Sequence, residues 1–265
     1  MKDFLGDRMK MYEDMGSGGR FLPMMPVYAR IDGRCFSKFT KGMCRPYDPR
    51  MSDAMERVTK ALVEETNAKV GYTQSDEISL VWYTPNPKSS IFFDGRIQKM
   101  VSQLAALASV NFYKIANDYW PEKCDHRLPT FDARVFALPT LEEATNCFVW
   151  REWDATKNSV SMAARSHFSH KRLQGIGREE MMDLLMQKGV NWNDYPEHFK
   201  RGSYFRRESI EKELTQEEWY RIPHDKKPES RIVMRSAVCQ LEMPPITKVA
   251  NRVDVLFNGA TPKTY

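Results

Sequence analysis

The sequence predicts an α+β fold: an antiparallel sheet in the ferredoxin-like, split βαβ arrangement with helices on one face, followed by a helical extension. Three observations predict it. A strand, a long amphipathic helix, a strand hairpin, a second amphipathic helix and a further strand follow one another between Val27 and Pro139, which is the succession of a split βαβ unit. Two strands carry a carboxylate at their ends, Asp32 after Val27-Tyr28-Ala29-Arg30-Ile31 and Asp76 before Ile78-Ser79-Leu80-Val81-Trp82. The chain between the two acids is long enough for a crossover helix and a return to a neighbouring strand, so they are able to meet. Beyond Pro139 the composition shifts to long helical patterns and then to a stretch rich in Lys and Arg. The expected division is a catalytic sheet region over 1–140 and a helical, basic region over 141–265, together one structural unit.

Each element has a local reason. Asp3 to Met15 reads as a short charged helix closed by the flexible Gly16-Ser17-Gly18-Gly19. After the first strand, Asp32-Gly33 leads into Arg34-Cys35-Phe36-Ser37-Lys38-Phe39, a turn or helix start whose backbone N–H groups suit a phosphate. Arg45-Pro46-Tyr47-Asp48 stops this segment and caps a helix from Pro49 to Ala68, with Met51, Ala54, Met55, Val58, Ala61, Leu62 and Thr66 at the 3–4 spacing of an apolar stripe. Thr73-Gln74-Ser75-Asp76-Glu77 is the tight turn of the hairpin, and the prolines of Thr84-Pro85-Asn86-Pro87-Lys88 end it. Arg96 to Tyr113 is a second amphipathic helix with Met100, Leu104, Leu107 and Val110 inward. Its first turn carries Arg96 and Lys99, where the helix dipole prefers anions; a phosphate ligand and a solvated basic face both account for them. Phe131 to Leu138 is a strand stopped by Pro139. Leu141 to Phe168 reads as one or two helices, with Arg151, Asp154, Asn158 and Arg165 on one face and Val149, Trp153, Val160 and Ala164 on the other. His170 to Gly189 reads as a loop and another helix.

Composition narrows the class. The 265 residues, 42% hydrophobic and 28% charged, make an ordinary globular chain with room for a proper core. A net charge of +5 is mild, but an excess on one face suffices to track a polyanion. Five cysteines with no CxxC pair indicate neither a zinc knuckle nor a disulfide framework. No run approaches a membrane span, and Met1 to Arg8 lacks the apolar core of a signal peptide. The expected setting is cytoplasmic and reducing.

The chemistry follows from the acids. Asp-Gly is a common turn dipeptide and Ser-Asp-Glu also serves as a cap. Two carboxylates at sheet height beside an accessible glycine carbonyl nevertheless suit Mg²⁺, which takes a few hard oxygens and keeps places for water and phosphates. This points to two-metal phosphoryl or nucleotidyl transfer, with Asp32, Asp76 and Glu77 as the catalytic carboxylates, Glu77 either standing behind the metal ligands or forming a surface pair.

Several segments then match one family together. Arg30-Ile31-Asp32-Gly33-Arg34 with Phe36 and Phe39, Gly71 to Ser79, Phe131-Asp132-Ala133-Arg134-Val135, Trp150-Arg151 with Asp154 and Asn158, and Lys200-Arg201-Gly202 resemble the signature segments of the tRNA-His guanylyltransferase family, most of all its guanylyltransferase-like 3′-5′ polymerases. Their order and spacing agree over about residues 20 to 207. The resemblance implies a polymerase palm and addition of nucleotides to the 5′ end of tRNA, in the 3′-to-5′ direction, with ATP and GTP as substrates. It implies two Mg²⁺ held by Asp32, the Gly33 carbonyl and Asp76, and nucleotide binding by Asp32, Gly33, Arg34, Cys35, Phe36, Ser37, Lys38, Ser75 and Asp76. Arg45, Arg96 and Lys99 align with basic residues that hold triphosphate, Arg45 where lysine is usual. RNA would be positioned by Arg151, Lys157, Asn158, Lys171, Arg172, Lys200 and Arg201, and the assembly would be a homo-oligomer, a tetramer as in relatives.

One departure matters. Where the guanylyltransferases proper carry His-Ile-Asn-Asn, this chain reads Thr156-Lys157-Asn158-Ser159, which favours repair or extension of truncated 5′ ends over guanylylation of tRNA-His. Two alternatives share parts of the evidence: a nucleotidyl cyclase or signalling synthase on the same palm, which needs no basic helical region, and a non-catalytic RNA-binding protein that kept the palm as a scaffold.

Overall fold

The computed structural model describes residues 3–265; Met1 and Lys2, where the expected catalytic span begins, lie outside the described residues. Helix α1 (Phe4–Ser17) is capped by Asp3, whose carboxylate accepts from the Gly6 N–H, and buries no side chain. Strand β1 (Val27–Gly33), the short α2 (Phe36–Phe39), α3 (Pro49–Thr66), the hairpin β2 (Val70–Gln74) and β3 (Glu77–Trp82), α4 (Ile97–Tyr119), α5 (Pro121–His126) and β4 (Phe131–Ala137) follow. The expected succession is present, with α4 running six residues past Tyr113.

The extension opens with α6 (Leu141–His167), one continuous helix whose Thr140 cap accepts from the Glu143 N–H. After it come α7 (His170–Leu173), α8 (Arg178–Gln187) and α9 (Glu197–Arg201). The chain then returns to the sheet in β5 (Ser203–Glu213) and β6 (Ile232–Leu241), joined through α10 (Gln216–Arg221), and closes with α11 (Arg252–Phe257). The sheet order is β4-β1-β3-β2-β5-β6, and every named pairing is antiparallel. The second region thus supplies two strands as well as helices, which the reading of 141–265 as a helical, basic region did not disclose.

Alternation along β1 sorts the two cores. Val27, Ala29 and Ile31 pack with the α3 stripe of Met51, Ala54, Met55, Val58 and Leu62 and with Met100, Leu104, Ala108 and Phe112 of α4. Val110, expected inward, is 66% exposed, because the buried stripe of α4 steps by four from Met100 through Leu104 and Ala108 to Phe112. On the other face Tyr28, Tyr72 and Tyr204 meet Phe148 of α6. The palm helices therefore cover one face and the extension covers the other.

The return to the sheet turns on one glycine. Gly202 has φ +80°, and a Cβ there would lie 2.4 Å from the Thr73 carbonyl oxygen. Its ψ of −175° completes a conformation essentially confined to glycine. Gly202→Ala is expected to destabilise the fold by at least ~2 kcal/mol, read as a lower urea midpoint at unchanged slope; an unchanged midpoint would remove this constraint from the turn.

Candidate active site

Register across three strands builds the site. Asp32 pairs with Glu77 on β3 and with Asp132 on β4, so three carboxylates stand in one row on the α6 face. Two residues back along β1, Arg30 pairs with Arg134, a second row of opposite sign. Arg151 reaches in from α6: its Nε donates to Glu77 Oε1 at 2.6 Å and its Nη2 to Glu77 Oε2 at 2.9 Å. A further bond from Nη2 meets Asp154 at 2.9 Å.

Asp76 comes to this row from the hairpin turn. The Gly33 N–H donates to the Asp76 carbonyl at 3.0 Å, which ties the end of β1 to the turn and sets both acids at one corner of the sheet. Ser75, at φ +51°, takes the left-handed conformation that a two-residue hairpin loop asks of its first residue, and its hydroxyl bonds Asp76 Oδ1 at 3.0 Å. Burial raises the Asp76 pKa, and the Asp32 charge raises it further. Asp32 is likewise raised by burial and then by Asp132. Two desolvated carboxylates that repel each other are the donor set a hard dication would neutralise. Among the described residues no three His, Cys, Asp or Glu side chains form a full cage, which fits an ion that completes its shell with water and phosphate.

A cavity of about 320 Å³ opens beside Asp76, within the range of small-ligand sites. Of the expected residues it gathers Phe36, Ser37, Arg45, Ser75, Asp76 and Asn158. Asp32 and Gly33 adjoin it through the bond to Asp76, while Arg34, Cys35 and Lys38 are exposed on the rim segment around α2. Gly33 has no room for a side chain, since a Cβ would meet the Phe36 ring at 2.4 Å. Tyr47, stacked on Phe199 with centroids 4.7 Å apart, gives the cavity an aromatic wall. His198 lines it with a buried Nε2 that has no protein partner, and burial lowers its pKa.

Other expected residues lie elsewhere. Arg96 and Lys99 sit at the opposite end of the sheet: Phe92 stacks on Trp82 there, whereas Phe112, about 22 Å further along α4, meets Phe36 and Phe131 at the carboxylate end. Within one chain they are not brought to Asp32 and Asp76. Arg151 is buried and engaged by Glu77, and Asp154 is half-buried, while Asn158 and Arg165 stay exposed, so the expected polar face of α6 turns inward only around Arg151, and Trp153, expected inward, is 62% exposed. Lys200 is buried with its Nζ donating to the Asn193 carbonyl at 2.7 Å, and Arg201 pairs with Glu197. Lys157, Lys171 and Arg172 are exposed. Asp132, Tyr47 and His198 were not singled out from the sequence. Asp132 had a signal, since the strand pattern around it gives a carboxylate and, two residues on, an arginine on one face, as Asp32 and Arg30 do.

An antiparallel sheet bearing paired carboxylates at one corner, beside a nucleotide-sized cavity, defines a palm-type nucleotidyl-transfer fold. The tRNAHis guanylyltransferase family model matches residues 6–139. The tRNA(His) guanylyltransferase of Schizosaccharomyces pombe is 30% identical over 227 residues, 79% of this chain and 83% of the relative. A bacterial tRNA(His) guanylyltransferase-like protein in complex with ATP superposes with a TM-score of 0.78 at 34% identity, covering 96% of this chain and 98% of that one. A second such bacterial structure, in complex with GTP, gives 0.71 at 32% identity over 93% and 95%. The chain belongs to the tRNA(His) guanylyltransferase family, a family of nucleotidyltransferases.

The raised carboxylates have a consequence for stability. A folded-state pKa above the unfolded value means that the folded chain holds more protons between the two, so stability rises as pH falls through that interval. Asp76→Asn, without the buried charge, is expected to be more stable than the parent at pH 7. The advantage should shrink as pH drops through the folded pKa towards the ordinary carboxylate value. Urea unfolding across pH in metal-free buffer checks this, and a gap that stays constant with pH would contradict it.

Proposed function

We propose that this protein adds nucleotides to the 5′ end of tRNA in the 3′-to-5′ direction, favouring truncated ends. The observation that carries this is Asp76 on the lining of a cavity with an aromatic wall and Arg45, with the end of β1 that bears Asp32 tied to it through the Gly33 N–H. The bacterial relatives bound to ATP and to GTP support nucleotides as substrates here. A 5′-monophosphate is a poor electrophile, because its leaving group is oxide or hydroxide. An oxygen of that phosphate attacks the α-phosphorus of ATP, pyrophosphate departs, and the 5′ end carries AMP. The 3′-hydroxyl of GTP or another NTP then attacks the 5′ phosphorus, loses its proton, and AMP departs. Ends already bearing triphosphate skip the first step.

The protein's part is to hold these groups. Asp32, the Gly33 carbonyl and Asp76 would hold Mg²⁺, which when bound supplies acidification of the attacking hydroxyl and neutralisation of the leaving phosphates. Ser37 offers a hydroxyl to a phosphate oxygen and Arg45 a guanidinium fork, while the Ser75 hydroxyl orients the Asp76 carboxylate. Tyr47 and the cavity's apolar wall take the base. Lys157, Lys171 and Arg172 position the RNA backbone without reading bases. Asn158 is the retained member of the family's His-Ile-Asn-Asn motif. Ser159 spends its hydroxyl on packing, accepting from Trp192 Nε1 at 3.2 Å. The same reading expects a homo-tetramer, since one protomer is small beside a tRNA.

Asp32→Ala and Asp76→Ala are each expected to lower nucleotide addition at least ~1,000-fold, several kcal/mol of barrier, with fold and tRNA affinity retained. Activity within tenfold of the parent in either variant would sink the assignment. For substrate choice, the protein is incubated with Mg²⁺, ATP, each NTP and tRNAs that are intact or lack the 5′ nucleotide, and the 5′ ends are read at single-nucleotide resolution. Addition matching the unpaired opposite base, on tRNAs of several identities, is expected. Untemplated addition of one G to tRNA-His, with little repair of others, would show guanylylation instead.

A further inference from the structure

We propose that Trp150 and Trp153 form a stacking surface for an unpaired nucleobase in the single-stranded 3′ segment of the RNA, a site that rests on the tRNA-end reading above. The two indoles lie three residues apart on α6, one above the other, and are 48% and 62% exposed. Of the chain's six tryptophans the other four are buried or half-buried, so the exposure is particular to this face. The Trp150 ring is fixed in place: Arg151 lies 4.5 Å and Arg30 5.5 Å from its centroid, and both guanidiniums are anchored on Glu77. That anchoring leaves an oriented ring with little entropy still to lose on binding.

Position and charge select the occupant. Arg30 stands two residues from Asp32 on β1, about 7 Å along the strand, so the indoles begin beside the carboxylates where an RNA end would lie. Lys157 continues the same line of α6, and Arg134 stands half-exposed at the sheet edge. Aromatic faces interleaved with cations are the pattern that binds single strands, the rings replacing base-on-base stacking and the cations meeting phosphates. The exposed Asn146 and Lys157 bracket the two rings along the helix, leaving a patch far smaller than a stable protein interface requires. Base pairing ends at the reacting 5′ terminus, and the opposite strand of a tRNA continues unpaired beyond it. That continuation is the segment these rings fit.

The test uses the whole protein with Trp153→Ala and Trp153→Phe, on tRNA with its 3′ single strand and on the same tRNA trimmed to a paired end, binding being measured at fixed salt. Trp153→Ala is expected to raise the apparent Kd for the full tRNA about tenfold, for the trimmed tRNA less than twofold, and to leave the KM for ATP unchanged. Trp153→Phe should keep full-tRNA binding within about threefold. A Kd for the full tRNA within twofold of the parent, or an equal loss on both RNAs, overturns the proposal. The two readings separate cleanly: selective loss on the full tRNA in a protein that adds no nucleotide would refute the catalytic reading and keep the stacking surface, and nucleotide addition with unselective binding would do the reverse.

Discussion

The architecture depends on the buried fork between Arg151 and Glu77. Glu77 follows Asp76 in the chain and stands opposite Asp32 in register, so whatever fixes Glu77 fixes the frame of both acids. Arg151 does so with two hydrogen bonds and spends a third on Asp154, a geometry that a lysine's single ammonium does not offer. Burial pulls the Glu77 pKa up even beside this partner. Burial alone would lower Arg151, but Glu77 and Asp154 outweigh it and hold it above its ordinary value. Removing either partner would leave the other buried charge with a lesser one, Arg30 at 3.7 Å for Glu77 or the half-buried Asp154 for Arg151, and a cost of up to the about 3–5 kcal/mol of a broken buried pair is what couples α6 to the sheet.

Once Arg151 must face the sheet, the rest of α6 follows. Glu152 turns inward beside it, accepting from the Tyr204 hydroxyl and from the Ile246 N–H at 2.9 Å each, so the helix is bonded to β5 and to the C-terminal segment as well as to the hairpin. Ser159 is held by the packing around Trp192 and Lys200. Trp150 and Trp153 then have only the outer side left. A helix with inward charges and outward indoles inverts the ordinary amphipathic rule, and the inversion is confined to the turns level with the carboxylates.

The first half of the chain was largely legible because its signals are local. Alternation in β1, the 3–4 stripe of α3 and the Ser75-Asp76 turn each declare themselves within a few residues, and Asp32 and Asp76 fall where those patterns place them. The rest depends on pairing between distant segments. β5 and β6 were not marked as strands because their distal halves are largely exposed and pair only with each other, so no alternation declares them. Arg151 is polar by composition and buried by partnership, which no periodicity reveals without Glu77 in view. Arg96 and Lys99 carried the right charge, but the direction in which α4 crosses the sheet, set by Phe92 on Trp82 at one end and Phe112 on Phe36 at the other, decided their distance from the acids.

At the corner of the sheet that holds Asp32 and Asp76, stability and charge crowding pull in opposite directions. Asp32, Asp76 and Asp132 crowd one corner while Arg151 is committed to Glu77 and Arg134 reaches Asp132 at 3.3 Å, so the two inner acids keep most of their repulsion. Ser75 and Cys35 hold left-handed backbone at φ +51° and +57°, each about 1–2 kcal/mol above a relaxed residue, on the two segments that present those acids. Neutral side chains and glycines would relieve both costs. A site that keeps them is poised for a partner with positive charge and oxygen ligands of its own. The charge left over at Asp32 and Asp76, rather than any shape the cavity alone provides, is what suits this corner of the sheet to the metal-bound phosphates of the proposed reaction.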